Sequence, residues 1–186
     1  MRMSEPTAAD AFAELGLPRT AALDADTLAR AFDALSRERH PDAGGEAAAF
    51  ARLTSARDTL ATPSRRWRHL LELLAPGTKL DGALSPALMD LFAQLGPALA
   101  AGRAALERKS AASSALARAL LAGEELRARE ALETLAGRID ALRAELDARA
   151  TDWRSDTHAL ATLAREAAFL EKWHAQVRDQ LARLGL

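Results

Sequence analysis

Apolar positions recur at three- and four-residue steps along almost the whole chain, and no segment alternates with a period of two. That pattern predicts helices and no strands. Pro and Gly mark the breaks. A short helix fits Thr7 to Leu15 and stops at "GLP", where Gly16 suits a C-cap and Pro18 blocks continuation. In "LDADTLARAFDALSRER", Asp24 or Asp26 serves as N-cap, and Leu28, Ala31, Phe32 and Leu35 share one face. This second helix ends near Arg39, because the residue before a proline is pushed out of the α region. A third helix fits Glu46 to Leu60, with Phe50, Leu53, Ala56 and Leu60 along one face. The fourth, "TPSRRWRHLLELL", takes Thr62 as N-cap and Pro63 as its first helical residue. Its two middle helices, joined by a tight Pro/Gly loop, make an antiparallel hairpin flanked by short helices.

"APGTKLDGALSP", Ala75 to Pro86, is the richest Gly/Pro stretch and reads as a boundary. Beyond it the helices lengthen. One fits Pro86 to about Leu106, disturbed at Gly96-Pro97, where the proline is expected to kink it. A second fits about Ser113 to Ala150 through Leu116, Leu120, Leu132, Leu135, Ile139, Leu142 and Leu146, with a break expected at Leu121-Ala122-Gly123. The last fits Asp156 to Leu184, carrying Leu160, Leu163, Phe169, Leu170, Trp173, Val177, Leu181 and Leu184. Three amphipathic helices with short connections imply an antiparallel three-helix bundle. The expectation is an all-α chain: a helical hairpin module at 7–75, a linker at 76–84 and a three-helix bundle at 85–186.

Composition narrows the function. Nearly half of the residues are apolar, but aromatics are only 4% and Ala and Leu carry the load, which favours helix over sheet. With 25 basic and 26 acidic residues the net charge is −1, which gives no electrostatic case for nucleic acid or an anionic membrane as partner. There are no cysteines, so disulfides, thiol catalysis and iron–sulfur ligation by the chain's own thiolates are excluded. "MRMSEPTAADAF" has no apolar h-region, and no run approaches the length of a membrane span, so a cytoplasmic location is expected. His69, His158 and His174 show no metal-ligand spacing and read as surface or interface residues. No nucleophile–base pair, phosphate loop or metal cluster is visible, so neither an enzyme nor a cofactor is expected.

One stretch resists a purely structural reading. "LSRERHPDAGGEAAAF" ends a charged helix at His40-Pro41-Asp42 and falls into Ala-Gly-Gly before helix resumes. Plain turn chemistry is one account: a helix end, a proline stop and an Asx-type cap. Yet several features occur together. A "GLP" follows the first short helix, an amphipathic second helix ends in the tripeptide, and the third bears "FARLTSARDTLATPSRR" with Phe50, Leu53, Ala56, Leu60, Pro63 and Arg66. This arrangement resembles the J-domain of DnaJ-type co-chaperones. The resemblance extends to the HscB type, devoted to iron–sulfur cluster assembly. "AFAELGLP" opens the domain, a Gly/Phe-rich linker and zinc module are lacking, and "AFLEKWHAQVRDQLARL" looks like that family's final helix.

The resemblance implies an activity: stimulation of ATP hydrolysis by a DnaK-type chaperone, the specialised HscA in this case, docked through the second helix and the tripeptide. Asp42 is an anion suited to an arginine partner. Pro41 fixes φ, which reduces the entropy lost on binding. His40 offers a hydrogen bond on either ring nitrogen. Arg30 and Arg37, two turns apart on one face, join Arg39 as the expected basic contact, although a solvated helix face would look the same. In the HscB type an apolar patch binds the cluster scaffold IscU. "ALMDLFAQL" and the last helix place Leu88, Met89, Phe92 and Phe169 there, and these residues read equally well as bundle core.

Departures are visible too. Ala43 replaces the usual lysine after the tripeptide, Arg39 the aromatic before it, and Arg57 the aromatic after the third-helix alanine. Ala93, Gly96 and Pro97 stand where the scaffold-binding helix usually carries glutamates. A J-protein with another client or a general DnaK is therefore one alternative. A helical oligomerisation module with a vestigial tip is another, against which the interruptions at Gly96-Pro97 and Gly123 count.

Overall fold

The computed structural model describes residues 10–40, 42 and 45–185. Seven helices account for its regular structure, and no strand occurs among the described residues. They are α1 (Ala11–Glu14), α2 (Ala25–Arg39), α3 (Ala47–Ala61), α4 (Pro63–Leu74), α5 (Pro86–Ala111), α6 (Ala115–Thr151) and α7 (Thr157–Leu184). The all-α expectation holds. Residues 7–9 of the expected first helix lie outside the described residues.

Start and stop signals act as local chemistry predicts. Asp10 caps α1, its Oδ1 accepting the N–H groups of Phe12 at 3.0 Å and Ala13 at 3.2 Å. Gly16 follows α1 at φ +64°, the left-handed conformation that lets the chain turn away. Asp24, rather than Asp26, caps α2 by accepting the Thr27 N–H at 2.8 Å. Asp156 does the same for His158 and Ala159 at the start of α7.

By contacts the chain forms two compact units, one of residues 1–81 with 147–167 and one of 82–146 with 168–186. In the first, α3 packs on α1, α2 and α4. Phe12, Leu15, Leu28, Leu53, Leu60, Trp67 and Leu70 make its buried core. Polar ties reinforce it: the Trp67 ring N–H donates to the Ala21 carbonyl at 2.8 Å, and buried Arg66 donates to Ala21 at 3.2 Å and Leu60 at 2.8 Å. Here the joined ends of α6 and α7 are linked by Arg149 and the buried Glu166 at 3.1 Å. The Arg165 guanidinium donates to the Asp81 carbonyl.

In the second unit, α5 and α6 run antiparallel: Arg138 faces Gln94, whereas Arg108 faces Glu124 and Lys109 faces Glu125. Phe92 meets Trp173 and Gly102 meets Gln180, so α5 and α7 run parallel. Leu88, Leu91, Leu132, Ile139, Leu170 and Val177 fill the seam.

The break expected at Leu121-Ala122-Gly123 is absent. Helix α6 is continuous through Gly123, and α5 runs through Pro97 and one turn past Leu106 to Ala111. Gly123 costs about 1 kcal/mol of helix propensity. The turn it begins is docked on α5 by the Arg108–Glu124 and Lys109–Glu125 pairs, at 2.9 and 3.0 Å. Pro97 sits on an exposed face while Leu91, Leu95 and Ala105 anchor the opposite one, so packing holds the helix across the missing N–H bond.

Candidate functional site

The tip of the α2–α3 hairpin is assembled from the end of one helix and the first turn of the next. His40 is the C-cap of α2, in extended backbone at φ −64° and ψ 134°, where a proline to follow forces it. Its ring lies edge-on to Phe50 of α3, with centroids 5.1 Å apart. The Asp42 backbone N–H donates to His40 Nδ1 at 3.2 Å. The Asp42 carboxylate is 92% exposed, with Oδ2 3.6 Å from the same Nδ1. Pro41 and Ala43 lie outside the described residues. The tip therefore presents the half-exposed His40 ring beside an open Asp42 carboxylate. That pair is equipped to hold a cation and a hydrogen-bonding group on a protein surface.

The three arginines expected beside it do not act alike. Arg30 and Arg37 are exposed on one face of α2, Arg30 turning a guanidinium N–H to Thr27 Oγ1 at 3.0 Å. Arg39 turns inward and pairs with Glu14 of α1 at 2.5 Å. Of the three, Arg30 and Arg37 are the ones exposed on the face of α2. Arg57 of α3 lies over an aromatic ring: its guanidinium carbon is 5.1 Å from the Phe32 ring centroid.

Within the second unit, the expected apolar patch divides. Leu88 is 1% exposed and belongs to the core, which corrects its assignment to a binding surface. Met89, one residue further round α5, is 51% exposed and Phe92 is 56% exposed. Phe169 lies partly exposed on α7. Phe92 and Phe169 both rest on buried Trp173, at centroid distances of 5.8 and 5.6 Å. Phe92 and Phe169 therefore form an aromatic platform with Trp173 beneath it, and Met89 is exposed one turn before Phe92 on α5. Exposed aromatics stacked on a rigid base are typical of a protein-binding surface.

No family model matches the sequence, and no curated protein sequence does. Among solved structures, the chaperone HscB from Vibrio cholerae superimposes with a TM-score of 0.58 at 24% identity, over 91% of this chain and 96% of that one. The chain has the HscB fold. The superposition covers enough of the chain to take in both the helical hairpin and the long helices.

Against that fold, sequence reasoning missed several supporting residues. Gly45 is one: a Cβ there would overlap the Arg39 backbone, and its N–H donates to the His40 carbonyl at 3.0 Å. The Gly-Gly after the tripeptide was the available signal. Another is His69 of α4, whose Nε2 accepts the Ala11 N–H at 3.0 Å while its ring stacks on Phe12. Burial lowers its pKa, and Arg19 adds to that against the opposing pull of Asp10. Burial also acts to raise the Asp10 pKa, but the Arg19 guanidinium at 2.7 Å and the capped N–H groups hold that carboxyl below its ordinary value. No helix among the described residues is long and apolar enough to cross a membrane.

Proposed function

We propose that this protein is a J-type co-chaperone of iron–sulfur cluster assembly. Residues 7–75 act as the J-domain that stimulates ATP hydrolysis by a DnaK-type chaperone of the HscA kind, and residues 85–186 recruit an IscU-like scaffold as client. It acts in the cytoplasm as an activator of its partner's ATPase and has no active site of its own. The observation that carries the reading is the braced His40–Asp42 tip, with Arg30 and Arg37 exposed on the helix that leads to it, in a chain with the HscB fold. In mechanism, the Asp42 carboxylate meets an arginine on the chaperone, His40 supplies a hydrogen bond, and Arg30 and Arg37 steer an acidic surface onto α2. Met89, Phe92 and Phe169 hold the client through apolar contact.

A second reading, a J-protein with another client, draws on the uncharged surface at Ala93, Gly96 and Pro97, all three exposed on α5. The decisive experiment is chaperone ATPase stimulation. His40→Gln or Asp42→Asn is expected to abolish it with the helical circular dichroism unchanged, and retained stimulation would remove the co-chaperone reading. For the client, Phe92→Ala and Phe169→Ala are expected to weaken capture of a purified IscU-type scaffold. Unaltered capture would favour the second reading.

A further inference from the structure

Arg39, the residue just ahead of the tripeptide, differs from the two arginines that precede it on α2. Its guanidinium lies 2.5 Å from Glu14 Oε1, and the two side chains are only 34% and 23% exposed. Glu14 is the last residue of α1, a four-residue helix that cannot hold itself together by propensity. Contacts fix α1 from outside: the Asp10 cap, the Asp10–Arg19 pair at 2.7 Å and the Ala11–His69 hydrogen bond. Glu14 is therefore an anchored carboxylate. On the other side of Arg39, Gly45 closes against the backbone and bonds the His40 carbonyl at 3.0 Å. The end of α2, which would otherwise fray, is clamped between these two contacts.

We infer that Glu14, through its ion pair with Arg39, is a positioning residue that fixes the end of α2 and the direction in which His40 and Asp42 leave it. Arg39 serves this pair and not the partner chaperone. The inference rests on the co-chaperone reading for its consequence, but its geometry belongs to the free protein. Withdrawing Arg39 to meet a partner would take from the partly buried Glu14 carboxylate its ion-pair partner at 2.5 Å, which is unfavourable. An aromatic side chain would tie α2 to α1 by packing. The Glu14–Arg39 pair makes the same cross-tie with charge, in a position where the family usually has an aromatic.

The test uses the full chain carrying Glu14→Gln, Arg39→Gln, or the double exchange Glu14→Arg with Arg39→Glu. Stimulation of ATP hydrolysis is titrated against a purified HscA-type chaperone, and circular dichroism checks the fold. Each single change is expected to raise the half-maximal concentration about three- to tenfold with the maximal rate preserved, and the exchange to recover most of the loss. In the free protein, the nuclear Overhauser contact between the His40 and Phe50 rings is expected to weaken in the single variants and return in the exchange. A Glu14→Gln chain as effective as wild type beside a defective Arg39→Gln chain would overturn the inference, because Arg39 would then be touching the partner. An unchanged His40–Phe50 contact in the single variants would overturn it as well. If the wild-type chain stimulates nothing while that contact still follows the Glu14–Arg39 pair, the co-chaperone reading fails and the positioning role stands.

Discussion

Both compact units have apolar cores, and they differ in where their polar ties lie: buried between helices in the first, on the exposed flanks of the seam in the second. Within residues 1–81 and 147–167, helices meet through polar groups aimed at single atoms. Trp67 and Arg66 converge on the Ala21 carbonyl, His69 takes the Ala11 N–H, Arg39 takes Glu14, and Arg149 takes buried Glu166. Within residues 82–146 and 168–186 the seam is largely Leu, Ile, Val and Ala, and its large aromatic side chains gather at one exposed patch. Directional bonds select one arrangement among many compact ones, whereas apolar seams tolerate small sliding. The difference suits the proposed tasks. A docking tip requires His40 and Asp42 at fixed angles, while a client surface needs mainly exposed area on a firm base.

The comparison is broken most severely at Trp67, which is 1% exposed and bonded to Ala21. Trp67→Ala is expected to destabilise the chain by about 3–5 kcal/mol, and Trp67→Phe by about 1 kcal/mol, since the ring contacts survive and Arg66 still serves the Ala21 carbonyl. Thermal unfolding followed by far-ultraviolet circular dichroism measures both. A Trp67→Phe chain as stable as wild type would show that packing alone, and not the directed bond, holds this unit.

The next test lies inside the apolar unit, between neighbours on α5. Leu88→Ala is expected to cost about 2–5 kcal/mol, because it opens a cavity in the seam. Met89→Ala is expected to change stability by less than about 0.5 kcal/mol while weakening client capture. The contrast also shows what the sequence could and could not disclose. "ALM" places Leu88 and Met89 about 100° apart on a helix, and nothing in the order of residues says which one turns inward. Helix ends at Asp24, Gly16 and Pro63 were readable because these residues act on their immediate neighbours. The Asp10 cap was not readable, and the sequence pattern starts the first helix at Thr7. The continuity of α6 through Gly123 was not readable either, because partners remote in sequence decide it. The tripeptide was legible for the same local reason as the caps. The role of Arg39 was hidden because its carboxylate stands 25 residues upstream.

A third prediction uses pH to separate the units. The His69 pKa is lowered from 6.5 in the folded chain, chiefly by burial. Below about pH 6.5 the unfolded chain therefore binds the proton more readily, so the stability contributed by neutral His69 is complete above that value and is lost as pH falls. The Asp10 pKa, lowered from 3.8, adds a further loss only in stronger acid. His69→Phe keeps an aromatic ring on Phe12 but removes the acceptor for Ala11. It is expected to lower stability by about 1–3 kcal/mol at about pH 7.5, with the gap from wild type narrowing toward about pH 5. A gap of constant size in melting temperature across that range would show that protonation of His69 has no part in tying α1 to α4.

The smallest effects come from two glycines, and they sharpen the view of the apolar unit most. Gly102 of α5 faces Gln180 and Leu132, and a Cβ there would come within 3.0 Å of Gln180 Cγ and 3.2 Å of Leu132 Cδ1. Gly137 of α6 has nothing within 4 Å of the corresponding position. Both are helical, so alanine gains about 1 kcal/mol of propensity at each. At Gly137 that gain stands alone, and Gly137→Ala is expected to raise stability by about 0.5–1 kcal/mol. At Gly102 the gain is set against crowding in a filled seam, which costs about 1–3 kcal/mol unless the helices shift. Gly102→Ala is therefore expected to be neutral or destabilising by up to about 2 kcal/mol, as the same two terms imply. If instead it stabilises as much as Gly137→Ala, α5 can slide on α7 by a few tenths of an ångström at no cost. The aromatic platform would then stand on a seam that adjusts to its client, rather than on one as closely fixed as the tip.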